Sequence, residues 1–261
     1  MERKLNKVRA KLAAGDLVTG SVIFSWSPNV MEVAGYAGLD FVRIDNEHAW
    51  RQDGTMEHLM RAAYCADVVP LVRVDKGNPY LIRKVLEIGA GGIIVPNIRT
   101  VEEARAVVHA SKFPPLGRRG YSGQCWSGGW GAAAGKEWIE WSDAEPMIGI
   151  MIEDRRAMAS VGEILALDGL DFALFGPADY AMSLGWRWSA KDSAEVQAAL
   201  ARTIEAAQRV NKDVMLGVAL GEAELQKYHA MGVTMFELSA DTTVLLQSWG
   251  QGRQAVQRLN G

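Results

Sequence analysis

The stretch LDFVRIDNEH, residues 39–48, decides the fold. A mostly apolar run from Leu39 to Ile44 stops abruptly in two acids and a histidine: Asp45, Glu47 and His48. A buried strand that delivers polar groups to the rim of a barrel has this form. The pattern recurs in Leu71-Val72-Arg73 and in Ile148 to Ile152 followed by Glu153. A further run, Phe172 to Phe175, ends in Gly176-Pro177-Ala178-Asp179. Charged groups at the C-terminal ends of successive strands are where a (β/α)8 barrel keeps its chemistry.

Working outward, strand-like and helix-like segments alternate to the end of the chain, the signature of a parallel α/β architecture. Strands are expected at 18–24, 40–45, 69–74, 91–95, 147–152, 171–175, 213–218 and 233–238. Eight strands fit a closed (β/α)8 TIM barrel better than an open sheet. The length of 261 residues suits one such domain spanning the chain. Pro28 and Pro79 suit first helical turns, and Thr100 with Glu103 reads as a capping box. Gly89-Ala90 and Gly232-Val233 read as helix-to-strand turns at the barrel floor. Leu5, Val8 and Leu12 recur at helical spacing, so a short N-terminal amphipathic helix is expected to cover that floor.

Composition narrows the function classes. Apolar residues make up 49% and charged residues 23%, which excludes a disordered chain. A net charge of −3 argues against a nucleic-acid partner, whose binding rests on clustered Lys and Arg. No apolar run approaches the roughly 20 residues of a membrane helix, and the basic start lacks the apolar segment of a secretory signal. The two cysteines, Cys65 and Cys125, lack metal-type spacing; free thiols in a reducing cytoplasm are the plain expectation.

Residues 113–146 break the rhythm of strands and helices. The segment is rich in Gly and Trp and holds Arg118, Arg119, Tyr121, Trp126, Trp130 and Trp138. Loops of this length within compact domains are usually functional. It is expected as a long active-site loop after strand 4, either a lid over the substrate or a packed surface and subunit contact.

The chemistry-bearing residues gather on the strand ends. Glu153 and Asp179 follow strands adjacent in sequence, and two carboxylates there suit an octahedral divalent cation completed by water. The alternative is a pair of solvated or ion-paired acids. Arg73 is costly to bury without an anionic partner; its planar fork suits a carboxylate or a developing enolate oxygen, or a structural salt bridge to Asp45 or Glu153. His48, three residues past Asp45, has the features of a general base held by a carboxylate. Gly176-Pro177-Ala178 opens a helix whose first amides could take a substrate carboxylate, or could form only a tight turn. Glu87 alone would read as a helix-surface acid. No lysine ends a core strand, which disfavours a Schiff-base aldolase; Lys76, two residues past strand 3, is the nearest. Strands 7 and 8 lack a glycine-rich phosphate loop.

Taken together, FVRIDNEH (41–48), PLVRV (70–74), VLEIGAGGIIVP (85–96), FPPLGRRG (113–120), MIED (151–154) and LFGPADYAMSLG (174–185) resemble the HpcH/HpaI aldolase family. These are metal-dependent pyruvate aldolases that include 4-hydroxy-2-oxoheptanedioate aldolase and 2-dehydro-3-deoxyglucarate aldolase. The resemblance covers nearly the whole chain. It implies a (β/α)8 barrel, often a hexamer (a trimer of dimers) whose last helix is exchanged between neighbours. It implies Mg2+, Mn2+ or Co2+ held by Glu153 and Asp179, and an enolate stabilised by Arg73. His48 would be the acid/base group supported by Asp45, and the amides near Gly176 and Ala178 would hold the carboxylate of a 2-oxo acid. Glu87 stands where the family has an aspartate that partners the histidine. Residues 121–146 depart from the family's pattern, which leaves the aldehyde partner open. Oxaloacetate decarboxylation and citrate- or citryl-type condensation would use the same site, and a metabolite-binding barrel without activity is the non-enzymatic alternative.

Overall fold

The computed structural model describes residues 4–48, 53–76 and 78–260. Eight parallel strands close in sequence order, the last pairing with the first. They are β1 Val18–Ile23, β2 Phe41–Asp45, β3 Val69–Arg73, β4 Gly92–Val95, β5 Met147–Ile152, β6 Phe172–Phe175, β7 Asp213–Val218 and β8 Met235–Ala240. The helices are α1 Lys7–Ala13, α2 Pro28–Tyr36, α3 Met56–Cys65, α4 Pro79–Glu87, α5 Val101–Ser111, α6 Lys136–Ala144, α7 Val161–Leu165, α8 Pro177–Ser183, α9 Ala194–Gln208, α10 Glu222–Met231 and α11 Asp241–Gln257. None among the described residues is long and apolar enough to cross a membrane.

The strands are apolar on both faces because both are covered. One set of alternating residues, including Phe41, Leu71, Ile94, Met147, Phe172, Met215 and Met235, fills the barrel interior. The other set, including Val42, Ile44, Val72, Ile93, Ile150, Phe175 and Leu216, packs under the helices. Val8 of α1 joins the interior set from below, so the helix does plug the floor. Leu5 does not belong to its apolar face. The Asn6 side chain accepts from the Val8 and Arg9 N–H groups, which starts the helix beyond Leu5 and leaves Leu5 74% exposed.

Pro28 and Pro79 occupy first helical turns, and Gly232 ends α10 in the left-handed region at φ 104°. The Thr100 hydroxyl accepts from the Glu103 N–H at 3.2 Å, but the Glu103 carboxylate reaches back one residue further, to the Arg99 N–H at 2.7 Å. Cys65 and Cys125 are both free thiols.

The long connection starts and ends at the floor of the barrel. Helix α5 carries the chain from the end of β4 back to the floor, so residues 112–146 start there and lead into the beginning of β5. Glu145 binds the Asn6 amide at 2.6 Å, Ser127 N–H donates to the Glu87 carbonyl at 3.0 Å, and Trp126 stacks edge-on to Tyr64. Trp126 also covers Gly89, where a Cβ would lie 2.5 Å from its ring. Trp138 is fully buried between Phe113 and Tyr121. The segment thus enters from the floor and packs along the outside of the barrel, while Gln124 and Trp130 share a cavity with Trp26 and Asn46, which follow β1 and β2.

Gly20, against Phe41, and Gly149, against Phe172, mark where interior rings need backbone room. A Cβ on Gly149 would lie 2.3 Å from the Phe172 ring on the neighbouring strand, which is fully buried and has nowhere to move. Gly149→Ala should therefore destabilise the barrel by roughly 1–3 kcal/mol through overpacking, read as a lower urea midpoint. An unchanged midpoint would show that the interior layer is slack.

Candidate active site

The site grows from the paired ends of β2 and β3, where Asp45 and Arg73 lie side by side in register. Asp45 is fully buried and its carboxylate accepts four hydrogen bonds. Oδ1 takes the amides of Glu47 (3.0 Å) and His48 (3.1 Å), which shapes the turn after β2. Oδ2 takes the guanidinium groups of Arg73 and, at 3.4 Å, Arg43. Burial alone would raise the Asp45 carboxyl, but the hydrogen bond and charge of Arg73, the His48 amide and Arg43 hold it below the usual carboxylate value. Arg73 also meets Glu47 at 3.0 Å and the Met151 sulfur at 3.7 Å. Its buried Nε has no hydrogen-bond partner among the described residues.

Arg43 lies two residues before Asp45 and therefore faces the same barrel interior. It forks onto Glu237 of β8, with Nη2 at 2.9 Å from Oε1 and Nε on Oε2. Glu237, Arg43, Asp45, Arg73 and Glu47 thus form a buried ladder of alternating charge across β8, β2 and β3.

The second half of the site lies on β4, β5 and β6. Glu153, only 5% exposed, accepts the Asn97 amide at 2.6 Å. Burial pushes its carboxyl up to about 7, and the negative charges of Asp179 and Glu47 push the same way against the Asn97 amide and Arg73. Burial likewise raises Glu47, helped by Asp45 and Asp179 and opposed by Arg73 and His48. Asp179 is exposed in the first turn of α8. Asn97 sits in the left-handed region at φ 58° and its side chain donates to Glu47 at 3.3 Å, so one residue ties both acids. Lys76 holds the Asn97 carbonyl at 2.5 Å and Glu103 at 2.7 Å, which accounts for that lysine without any catalytic role.

These carboxylates fit a divalent cation. Glu47, Glu153 and Asp179 feel one another's charge, and that repulsion is what a hard cation relieves. Gly176 leaves the room: a Cβ there would lie 2.9 Å from Glu153 Oε2. Among the described residues no three His, Cys, Asp or Glu side chains converge into a tight cage, so protein ligands would be few and water would complete the shell. Glu153 and Asp179 are the pair that strand order places side by side. The Gly176 amide donates to the Ile152 carbonyl at 3.1 Å and Pro177 has none, which leaves the amides of Ala178 and Asp179 at the start of α8 for an anion.

His48 and Glu87 each meet another partner. The His48 side chain is 66% exposed, with Nε2 at 3.8 Å from Glu47 Oε2. Glu87 ends α4 with its carboxylate 3.8 Å from Arg83, beside a cavity of about 360 Å3 lined by Trp26, Asn46, Gln124 and Trp130 among others. Sequence reasoning missed Glu47, Asn97, Arg43 and Glu237 as members of the site. Arg43 was detectable, since it shares the inward face of Asp45, and Glu47 stood within the quoted motif. Asn97 carried no signal beyond its position after a strand end.

The HpcH/HpaI aldolase/citrate lyase family profile matches residues 21–248. A hydroxypyruvate/pyruvate aldolase of Paraburkholderia phytofirmans is 30% identical over 258 residues, covering 96% of this chain and 97% of that one. A 2-keto-3-deoxy-L-rhamnonate aldolase of Klebsiella pneumoniae is 31% identical over 244 residues, covering 93% of this chain and 90% of that one. Among solved structures, the citrate synthase SbnG superposes with a TM-score of 0.87 at 28% identity, covering 97% of this chain and 98% of that one.

Two outcomes follow from this geometry. Glu237→Ala leaves the buried Arg43 without its forked partner and should cost roughly 3–5 kcal/mol of stability, read by urea denaturation; a change below about 1 kcal/mol would show that solvent reaches Arg43. The second concerns pH. Glu153 keeps its proton up to about 7 in the fold but releases it near 4.5 when unfolded. The native state binds more protons in that window, so metal-free stability should fall as pH rises from about 4.5 to 7. Glu153→Gln should flatten this segment of the curve in EDTA, and an unaltered slope would refute the assignment.

Proposed function

Because the chain belongs to the HpcH/HpaI aldolase/citrate lyase family and is a carbon–carbon lyase, we propose that it cleaves 4-hydroxy-2-oxo acids reversibly to pyruvate and an aldehyde, with Mg2+, Mn2+ or Co2+ as cofactor. The observation that carries this reading is the buried Glu153, with a carboxyl near neutrality, facing Asp179, Glu47 and the guanidinium of Arg73. Glu153 and Asp179 would hold the cation. When bound, it supplies Lewis acidity toward a keto oxygen and offsets the acids' mutual repulsion.

The protein's own residues do the rest. The amides of Ala178 and Asp179, beyond the Gly176-Pro177 turn, receive the carboxylate of the 2-oxo acid. Arg73 is fixed by Asp45, Glu47 and Met151, so it meets the charge developing on the keto oxygen as C3–C4 breaks without reorganising. His48 Nε2 takes the proton from the 4-hydroxyl, and Asp45, by holding the His48 amide, fixes the turn that presents the imidazole. In the synthetic direction the same proton returns to the new alkoxide. Glu87 supports His48, as its place in VLEIGA suggests, only if its side chain leaves Arg83. The exposed Val244, Leu245, Leu246 and Trp249 of α11 suit burial against another copy, in keeping with a homo-oligomer such as a hexamer built as a trimer of dimers.

The likeness to a citrate synthase favours a second reading, in which the same cation and Arg73 serve citryl-type condensation or oxaloacetate decarboxylation. Neither needs a base for a 4-hydroxyl. A lactate-dehydrogenase-coupled assay over a panel of 4-hydroxy-2-oxo acids and oxaloacetate separates them. Aldol chemistry predicts pyruvate release from the hydroxy acids, lost in EDTA and restored by Mn2+. Arg73→Ala should lower kcat by roughly 100- to 1000-fold, the scale of one oxyanion donor. Turnover of oxaloacetate alone would favour the second reading, and near-normal turnover by Arg73→Ala would remove the arginine from the mechanism.

A further inference from the structure

The mouth of the barrel between β8 and β1 is tied by one carboxylate that the proposed chemistry does not use. Asp241, the first residue of α11, is buried. Its Oδ1 accepts from the Phe24 amide at 3.0 Å and from the Thr242 amide at 2.7 Å. Its Oδ2 accepts from the Ser25 amide at 3.0 Å and the Ser25 hydroxyl at 2.5 Å. Both oxygens thus hold the loop that follows β1. The strand leading to Asp241 is adjusted to reach it. Ser21 faces Leu238 but Val22 faces Ala240, so Ser239 is an inserted residue, and its carbonyl accepts from the Ser21 hydroxyl at 2.6 Å. Such bulges re-aim a strand end at a barrel rim.

The held loop runs directly into Trp26, a buried indole at φ 51°, a backbone region that a bulky residue rarely adopts. The indole Nε1 donates to the Asp45 carbonyl at 2.8 Å. A continuous strap therefore spans three strand ends, from Asp241 just past β8 through Phe24 and Ser25 beyond β1 to Trp26, whose indole reaches the end of β2. In a closed eight-strand barrel β8 and β1 lie across the mouth from β4 and β5, and Glu153 and Asp179 follow β5 and β6. A 2-oxo acid whose keto-acid end is held on the β5–β6 side extends its other end toward this strap.

Resting on the aldolase assignment above, we infer that Asp241 is a positioning residue that fixes the Phe24–Trp26 strap as the cleft wall met by the aldehyde half of the substrate. It touches neither the keto acid nor the reacting atoms. Loosening it should widen or blur aldehyde recognition and leave enolate formation from pyruvate intact.

The two halves are separable in the whole enzyme with Mn2+. Exchange of the pyruvate C3 protons in D2O, followed by NMR, reads enolate formation without an aldehyde. Addition of pyruvate to acetaldehyde and to butyraldehyde reads the other half. Asp241→Asn should keep exchange within threefold of the wild type, while the aldehyde KM rises about tenfold and the preference between the two aldehydes shrinks at least fivefold. Ser25→Ala, which removes only the exposed hydroxyl's bond, should move the aldehyde KM in the same direction by a smaller factor and guards against misfolding of the first variant. An unchanged aldehyde KM and preference in both variants, or an equal loss in exchange and addition, overturns the inference. If the wild type itself exchanges no C3 proton, the enolate assignment fails and the inference falls with it.

Discussion

The site depends on a carboxylate that is buried yet kept ionised. Asp45 has no exposed surface, and an isolated carboxylate so placed would take up a proton rather than remain charged. Two guanidinium groups and two backbone amides prevent that. The arrangement cuts both ways. Asp45 stabilises Arg73 and Arg43 inside a barrel where either would be costly alone, and they keep it charged. Because it also takes the Glu47 and His48 amides, the same carboxylate sets where those two side chains stand. The fork from Arg43 to Glu237 extends this tie to β8. Three strands are thereby locked at their catalytic ends by charge rather than by apolar contact.

Against that locked side, the β4–β6 side is deliberately underneutralised. Glu153 has one amide, from Asn97, and two nearby acids whose charges raise its carboxyl further. Arg73 is the shared cation, but it is already engaged by Asp45 and Glu47. A deficit of positive charge among buried acids is the environment a cation would relieve, unlike a structural salt-bridge network, where each charge has its own partner. Asp45 is held low by its two arginines while Glu153 is raised to about 7 by burial and neighbouring acids.

Most of the fold was legible because parallel barrel strands are covered on both faces and appear as apolar runs. Seven of the strands begin and end within about a residue of the expected positions. β8 does not, for local reasons. Val233 is drawn into the turn that closes α10, its amide bonding the Tyr228 carbonyl at 3.0 Å, and the bulge at Ser239 carries the strand on to Ala240. Asp45, Arg73, Glu153 and Asp179 were legible as charges that interrupt such runs. Asn97 was not, since its role rests on a left-handed backbone and an amide, which a side-chain pattern does not encode. The 113–146 segment was recognisable as unusual, but its length does not say where it starts; helix α5 delivers it to the floor.

The strap at the β8–β1 seam shows why the position of α11 matters to chemistry on the other side of the mouth. Among its described residues only Asp241 is buried, so the helix presents long apolar side chains to the outside along most of its length. Its buried tie to the barrel is the carboxylate that holds the β1 loop. Any force that shifts α11, including its burial against another copy, acts on Phe24, Ser25 and Trp26 before it reaches Asp45. Arg73 is held by Asp45, Glu47 and Met151, and Glu153 by the Asn97 amide. Under the proposed function, coupling from the helix should therefore appear in how the far end of a substrate is accommodated more than at Glu153 and Arg73.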